Sequence, residues 1–176
     1  MKSTSRGRVD WGNVRDFKSA VVVWFATASG AGLSPVAPGT FGSVVGLPIA
    51  YSTQGGSVLA RGFFWTVLFL LGTWSAQVFD ETMKTQDHQS IVIDEVVGMG
   101  ITAWTAGDDW TTWIVAFLAF RFFDILKPPP IRYVDAWSKN QTSRGWGGFG
   151  VMADDVIAGF EGLGVVILLQ KLGFLA

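Results

Sequence analysis

No charged residue stands between Ser19 and Ala60, a stretch of 42 residues. A helix needs about 20 apolar residues to cross a bilayer, so this run limits the chain to folds that bury or immerse most of their surface. It is not one helix. "GLSPVAPGTFGS" (32–43) interrupts it with Pro35, Pro38 and glycines at 32, 39 and 42, residues that break regular structure. Further uncharged runs follow: Gly62–Phe79 (18 residues), Val96–Gly107 (12 residues) and Trp110–Phe120. Val156–Ala176 is interrupted only by Glu161 and Lys171. Charged residues make up 15% of the chain, against roughly 25% in soluble domains.

Several runs are short for spans and read better as helical hairpins. One covers Ser43–Phe79 and turns at "STQGGS" (52–57); the other covers Val96–Leu126 and turns at "AGDD" (106–109). If each hairpin crosses and returns, loops 34–42, 80–95 and 127–155 share one side. Residues 19–33 then lie at the interface or re-enter. This places 11 of the 13 cations on that side and leaves Arg61 and Lys171 for the other. Such a bias marks the cytoplasmic face. The expected fold is all-α, a polytopic membrane bundle of short helices in which 1–18 is a basic cytoplasmic lead and 19–176 a single domain. The competing reading is a very apolar soluble helical domain, because 12 residues rise only about 18 Å.

Composition excludes several chemistries. The net charge of −1 argues against nucleic-acid binding, which needs a basic field. Cysteine is absent, so disulfides, thiolate metal sites and cysteinyl nucleophiles are excluded. One histidine, His88, cannot serve mechanisms that need two. The dispersed cations of the N-terminal lead, with no compact apolar core and cleavage site after it, do not read as a secretory signal.

Against this apolar background, "IVIDEVVGMG" (91–100) carries Asp94 and Glu95, "FRFFDILKPPPIR" (120–132) carries Asp124, and "FGVMADDVIAGF" (149–160) carries Asp154 and Asp155. An isolated carboxylate in apolar surroundings is costly unless paired, hydrogen-bonded or metal-bound. The first pair is expected to open a helix, Asp124 to close the partner helix, and the last pair to open the final helix after a flexible loop, 140–150. Acids at helix starts also serve as ordinary caps. Five of them at one membrane level form an oxygen-only set suited to a hard cation, Mg²⁺ or Mn²⁺.

Cations stand nearby. Arg121, Asp124 and Lys127 recur every three residues and would stack if the helix reached Lys127. Prolines 128–130 end that helix and hold Lys127 and Arg132 near Asp124. The competing reading is a salt-bridged helix end at the lipid headgroups. Thr40 and Ser43 flank a helix start, where backbone N–H groups can hold an anion, although Pro-Gly-Thr is also a common turn and cap. His88 reads as a polar loop residue, with a general acid as the alternative.

The four segments "GLSPVAPGTFGS", "DHQSIVIDEVVGM", "FRFFDILKPPPIR" and "GGFGVMADDVIAG" occur in an order and spacing that resembles the phosphatidylglycerophosphatase A family, from about Gly32 to Gly159. The resemblance implies a helical membrane enzyme that depends on Mg²⁺. Such an enzyme removes the terminal phosphate of phosphatidylglycerophosphate at the cytoplasmic face of the bacterial inner membrane, giving phosphatidylglycerol. It implies catalytic or metal roles for Asp94, Glu95, Asp124, Asp154 and Asp155. Arg121, Lys127 and Arg132, with Thr40 and Ser43, would grip the phosphate. Asp87 also falls on a family-like position. Pro129 departs from the family's Lys-Pro-Trp-Pro, which bears on local packing or lipid contact. The alternative from another class is a divalent-cation transporter or channel with the carboxylates as its path.

Overall fold

The computed structural model describes residues 9–139 and 147–176. Lys2, Arg6, Arg8 and Arg144, counted above toward the basic side, lie outside these residues, as does segment 140–146 of the expected loop. The described residues form seven α-helices and no strand. They are α1 (Phe17–Ala26), α2 (Pro38–Thr53), α3 (Val58–Met83), α4 (Ile93–Thr102), α5 (Trp110–Leu126), α6 (Ile131–Lys139) and α7 (Gly147–Lys171), with single 3-10 turns at 11–13, 31–33 and 103–105.

The helix starts follow local chemistry. Ser19 N–H donates to Asp16 Oδ1 at 2.7 Å and Asp16 N–H to Ser19 Oγ at 3.3 Å, a reciprocal cap for α1. Pro38 occupies the first turn of α2, where a missing N–H costs nothing. Ser57 caps α3 and Asp109 caps α5. Turns fall where expected, at 54–57 between α2 and α3 and at 103–109 between α4 and α5; α4 packs on α5, whereas α2 and α3 pack on other helices rather than forming a hairpin with each other.

α4 and α7 form the centre, with α2 packed on α4, α3, α5 and α6 on α7, and α1 on α3. Small residues allow the central pair to meet closely. A Cβ on Gly159 would stand 2.7 Å from the Gly98 carbonyl oxygen, and Thr102 Oγ1 donates to both Gly98 O (3.0 Å) and Gly159 O (3.1 Å). Small residues and a bridging hydroxyl let the two backbones approach closely, a packing frequent among membrane helices.

Another expectation is corrected. α7 begins at Gly147, so Asp154 and Asp155 lie two turns inside it and do not open it. The glycines that suggest a loop serve packing instead. Gly148 N–H donates to Gln77 Oε1 at 3.0 Å, and a Cβ there would collide with the Thr73 carbonyl of α3.

The outer faces are apolar. Leu59, Phe63 and Leu70 of α3, Leu118 and Phe122 of α5, Phe160 and Leu168 of α7, and Phe17 and Trp24 of α1 are all exposed. Among the described residues α3 is the one helix long and apolar enough to cross a membrane, with only 17% of its apolar window buried. The 10 residues of α4 rise about 15 Å and do not span by themselves. At the end of the bundle away from the acids, Gln54 donates to Ala103 O (3.0 Å), Arg61 to Trp104 O (2.5 Å) and Gln170 to Thr105 O (3.0 Å), tying α2, α3 and α7 to the α4–α5 turn.

Candidate active site

At the other end, the N-termini of α2 and α4, the C-terminus of α5, the 84–92 loop and the second turn of α7 enclose a cavity of about 280 Å³. Six carboxylates line it (Asp87, Asp94, Glu95, Asp124, Asp154 and Asp155), with two cations, Arg121 and Lys127. Asp94, Asp154 and Asp155 are buried, and so much negative charge away from water calls for protons or a bound cation.

Asp94 and Glu95 stand in the first turn of α4, whose N-cap is Val92. Neither is therefore the cap that the conservative reading assigned. Asp94 Oδ1 accepts the Glu95 N–H at 3.1 Å. The α4–α7 crossing brings Asp155 to them, so that one oxygen from each of Asp94, Glu95 and Asp155 lies within 4.8 Å of the others. Glu95 Oε2 and Asp155 Oδ2 are fully buried with no hydrogen-bond partner. Unpaired, converging carboxylate oxygens are what a hard divalent cation requires. The α2 backbone passes directly over this group, and a Cβ on Gly39 would collide with Glu95 Oε1.

Two of the remaining three acids are each paired with a cation. Asp124 Oδ2 is 2.5 Å from Arg121 Nη1. Asp154 Oδ2 is 2.5 Å from Lys127 Nζ, while Asp154 Oδ1 is buried without a partner. Lys127 is not part of α5. The helix ends at Leu126, and Lys127 turns left-handed (φ 42°), which breaks the expected stack with Arg121 and Asp124. The turn aims its ammonium between α7 and α6, where it meets Asp154 of the former and Asp135 of the latter, each at 2.5 Å. Burial works against the Lys127 charge, but Asp154 and Asp135 outweigh it and hold its pKa above the ordinary lysine value.

Three expected phosphate contacts sit elsewhere. Ser43 is buried behind Arg121: its hydroxyl donates to Gly39 O (2.9 Å) and accepts from Arg121 Nη1 (3.3 Å). Thr40 does not line the cavity. Arg132 is exposed with its guanidinium 5.9 Å from the Tyr133 ring centre, because α6 restarts at Ile131 and buries that side chain instead.

Two functional neighbours escape sequence reasoning. Asp135 reaches back to Lys127 from an ordinary amphipathic helix, with no signal in its spacing. Asp80, near the end of α3, accepts hydrogen bonds from Thr85 Oγ1 (2.7 Å), Asp87 N–H (2.7 Å) and His88 N–H (3.2 Å). His88 is buried against Phe79, its Nδ1 accepts from Ser90 N–H (3.1 Å), and it lines the cavity.

The sequence profile of the family described as Phosphatidylglycerophosphatase A matches residues 24–170. A Haemophilus influenzae protein named phosphatidylglycerophosphatase A is 41% identical over 149 residues, covering 82% of this chain and 86% of its own. The Escherichia coli K12 protein of the same name is 36% identical over 146 residues, covering 80% and 78%. A Bacteroides thetaiotaomicron protein provisionally named a phosphatidylinositol-3-phosphatase is 34% identical over 149 residues, covering 80% and 88%. No solved structure matches the chain. With its profile matched over most of its length and its acidic motifs converging on one cavity, the chain belongs to the phosphatidylglycerophosphatase A family.

Proposed function

We propose that this chain is a membrane-embedded, Mg²⁺-dependent phosphatase that hydrolyses the terminal phosphate monoester of phosphatidylglycerophosphate at the cytoplasmic surface of the bacterial inner membrane. The observation that carries this reading is the triad Asp94, Glu95 and Asp155, with its unpaired buried oxygens, in one cavity with Lys127 and Arg121. The large apolar side chains exposed on α1, α3, α5 and α7 suit a bundle surrounded by lipid. An acid-rich end beside such faces lets a lipid phosphate enter while its acyl chains stay in the bilayer.

The triad would hold the Mg²⁺, which when bound neutralises phosphate charge and makes water a better nucleophile. The protein's own groups do the rest. Lys127 has three N–H donors, two of which face Asp154 and Asp135, leaving one for a phosphate oxygen. Arg121, fixed by Asp124 and Ser43, supplies a second cation that need not reorganise during the reaction. Asp154 and Asp124 thus hold the cations, and Asp154 Oδ1 adds one more oxygen beside the triad. Arg132 and Thr40 take no part in this arrangement.

The test is phosphate release from phosphatidylglycerophosphate by detergent-solubilised protein, with Mg²⁺ or EDTA, for wild type and Asp94→Asn. Turnover that needs Mg²⁺ and disappears in the variant is expected. A phosphatidylinositol 3-phosphate arm is run in parallel because of the Bacteroides relative; faster turnover there would replace the substrate and keep the chemistry. A cation-transport reading has no support in the family. It also calls for acids spaced along a path, whereas these converge at one end with phosphate-binding cations.

A further inference from the structure

The 84–90 loop carries three cavity-lining residues, Asp87, His88 and Gln89, yet its backbone is held in an unfavourable form. Lys84 (φ 57°) and Asp87 (φ 55°) are both left-handed without being glycine, a conformation that L side chains rarely adopt. Something must fix it. Asp80 is buried, does not line the cavity, and spends its carboxylate on this loop through Thr85 Oγ1, Asp87 N–H and His88 N–H. A carboxylate suits the task because it only accepts, and all three partners donate.

We propose that Asp80 is a positioning residue of the phosphatase site: from the end of α3 it clamps the 84–90 loop so that the Asp87 carboxylate is presented to the cavity beside Asp94 and Asp154. Asp87, Asp94 and Asp154 all line the one cavity. Asp87 is therefore the group through which a misplaced loop is felt. Asp80→Asn removes part of the acceptor capacity and turns an N–H₂ toward backbone donors, so the loop loses its register while the bundle keeps its core.

This inference rests on the proposed phosphatase function, and its test separates the two. Phosphate release by the full chain in detergent is measured for wild type, Asp80→Asn, Asp87→Asn and the double variant, with amide hydrogen exchange on each. Asp80→Asn is expected to lower kcat about 10–100-fold, the scale on which groups supporting a metal site act, with KM nearly unchanged. The double variant should be no slower than the slower single variant, since two residues acting through one contact are not additive. Exchange should rise at 85–90 and not in α4 or α7. Thr85→Val, which removes one of the three donors, should give a smaller loss of the same kind. Multiplying losses in the double variant, or exchange rising throughout the bundle, would show a general structural role and overturn the inference. If wild type releases no phosphate, the functional reading fails, and the exchange pattern alone decides whether Asp80 clamps the loop.

Discussion

Asp155 is buried, carries an unpaired oxygen and faces two other acids. Without a cation its charge opposes folding, so function and stability pull apart at this residue. Asp155→Asn is expected to cut phosphate release about 100-fold or more, the scale of losing one preorganised transition-state group. In EDTA its Tm should match or exceed wild type, because one repulsive charge is gone. Adding Mg²⁺ should raise the wild-type Tm, by the linkage that any ligand of the native state produces, and leave the variant nearly unmoved. Scanning fluorimetry in both buffers checks this. Lys127→Met should behave in the opposite way. It removes the ammonium that Asp154 and Asp135 each meet at 2.5 Å, and should cost about 1–3 kcal/mol as well as activity. A Tm drop in EDTA for Lys127→Met but not for Asp155→Asn is the outcome to look for.

Among the helices, the α4–α7 crossing decides whether Asp94 and Asp155 face each other. Its contact is backbone on backbone at Gly98 and Gly159, bridged by Thr102. Gly159→Ala puts a Cβ 2.7 Å from a carbonyl oxygen. The helices must separate, which should cost about 1–3 kcal/mol, as overpacking does, and lower turnover through the displaced acids. Gly164, one turn further along α7, has nothing within 4 Å of such a Cβ. Gly164→Ala should be neutral or stabilising by up to about 1 kcal/mol, since glycine is a poor interior helix residue. Comparing the two in thermal unfolding and phosphate release separates close packing from generic helix propensity. Other glycines of α7, at 147, 148 and 150, make that segment resemble a loop in the sequence. Periodicity and turn chemistry cannot tell a glycine that frees the backbone from one that lets a neighbouring helix approach.

Taken as a whole, the molecule has two unlike ends. The described cations Arg15, Lys18, Lys84, Arg121, Lys127 and Arg132 belong to the N-terminal segment or to the loops and helix ends around the acidic cavity, while Arg61 and Lys171 stand toward the other end. Our proposal that the cavity faces the cytoplasm rests on the positive-inside argument and can be tested directly. The chain has no native cysteine, so single cysteines report topology cleanly. In intact cells, Gly55→Cys and Gly107→Cys should react with a membrane-impermeant maleimide, and Val36→Cys and Gln89→Cys only after lysis. The reverse pattern would invert the orientation. Equal labelling of all four would point to a protein that does not span.

Much of this was decided in the sequence. Uncharged runs punctuated by proline and glycine fixed helices and both turns, because local backbone preferences and desolvation act over a few residues. Acids set in apolar segments marked the site, because burying a carboxylate without purpose is too costly to persist. The tertiary structure alone decided which acids meet. Asp94, Glu95 and Asp155 converge through the Gly98–Gly159 crossing, Lys127 turns away from its own helix to Asp154 and Asp135, and Arg132 is left outside. Asp80 and Asp135 acquire roles only through partners that the fold delivers. Such contacts join residues far apart in the chain, and their geometry depends on how closely whole helices approach, which no local pattern encodes.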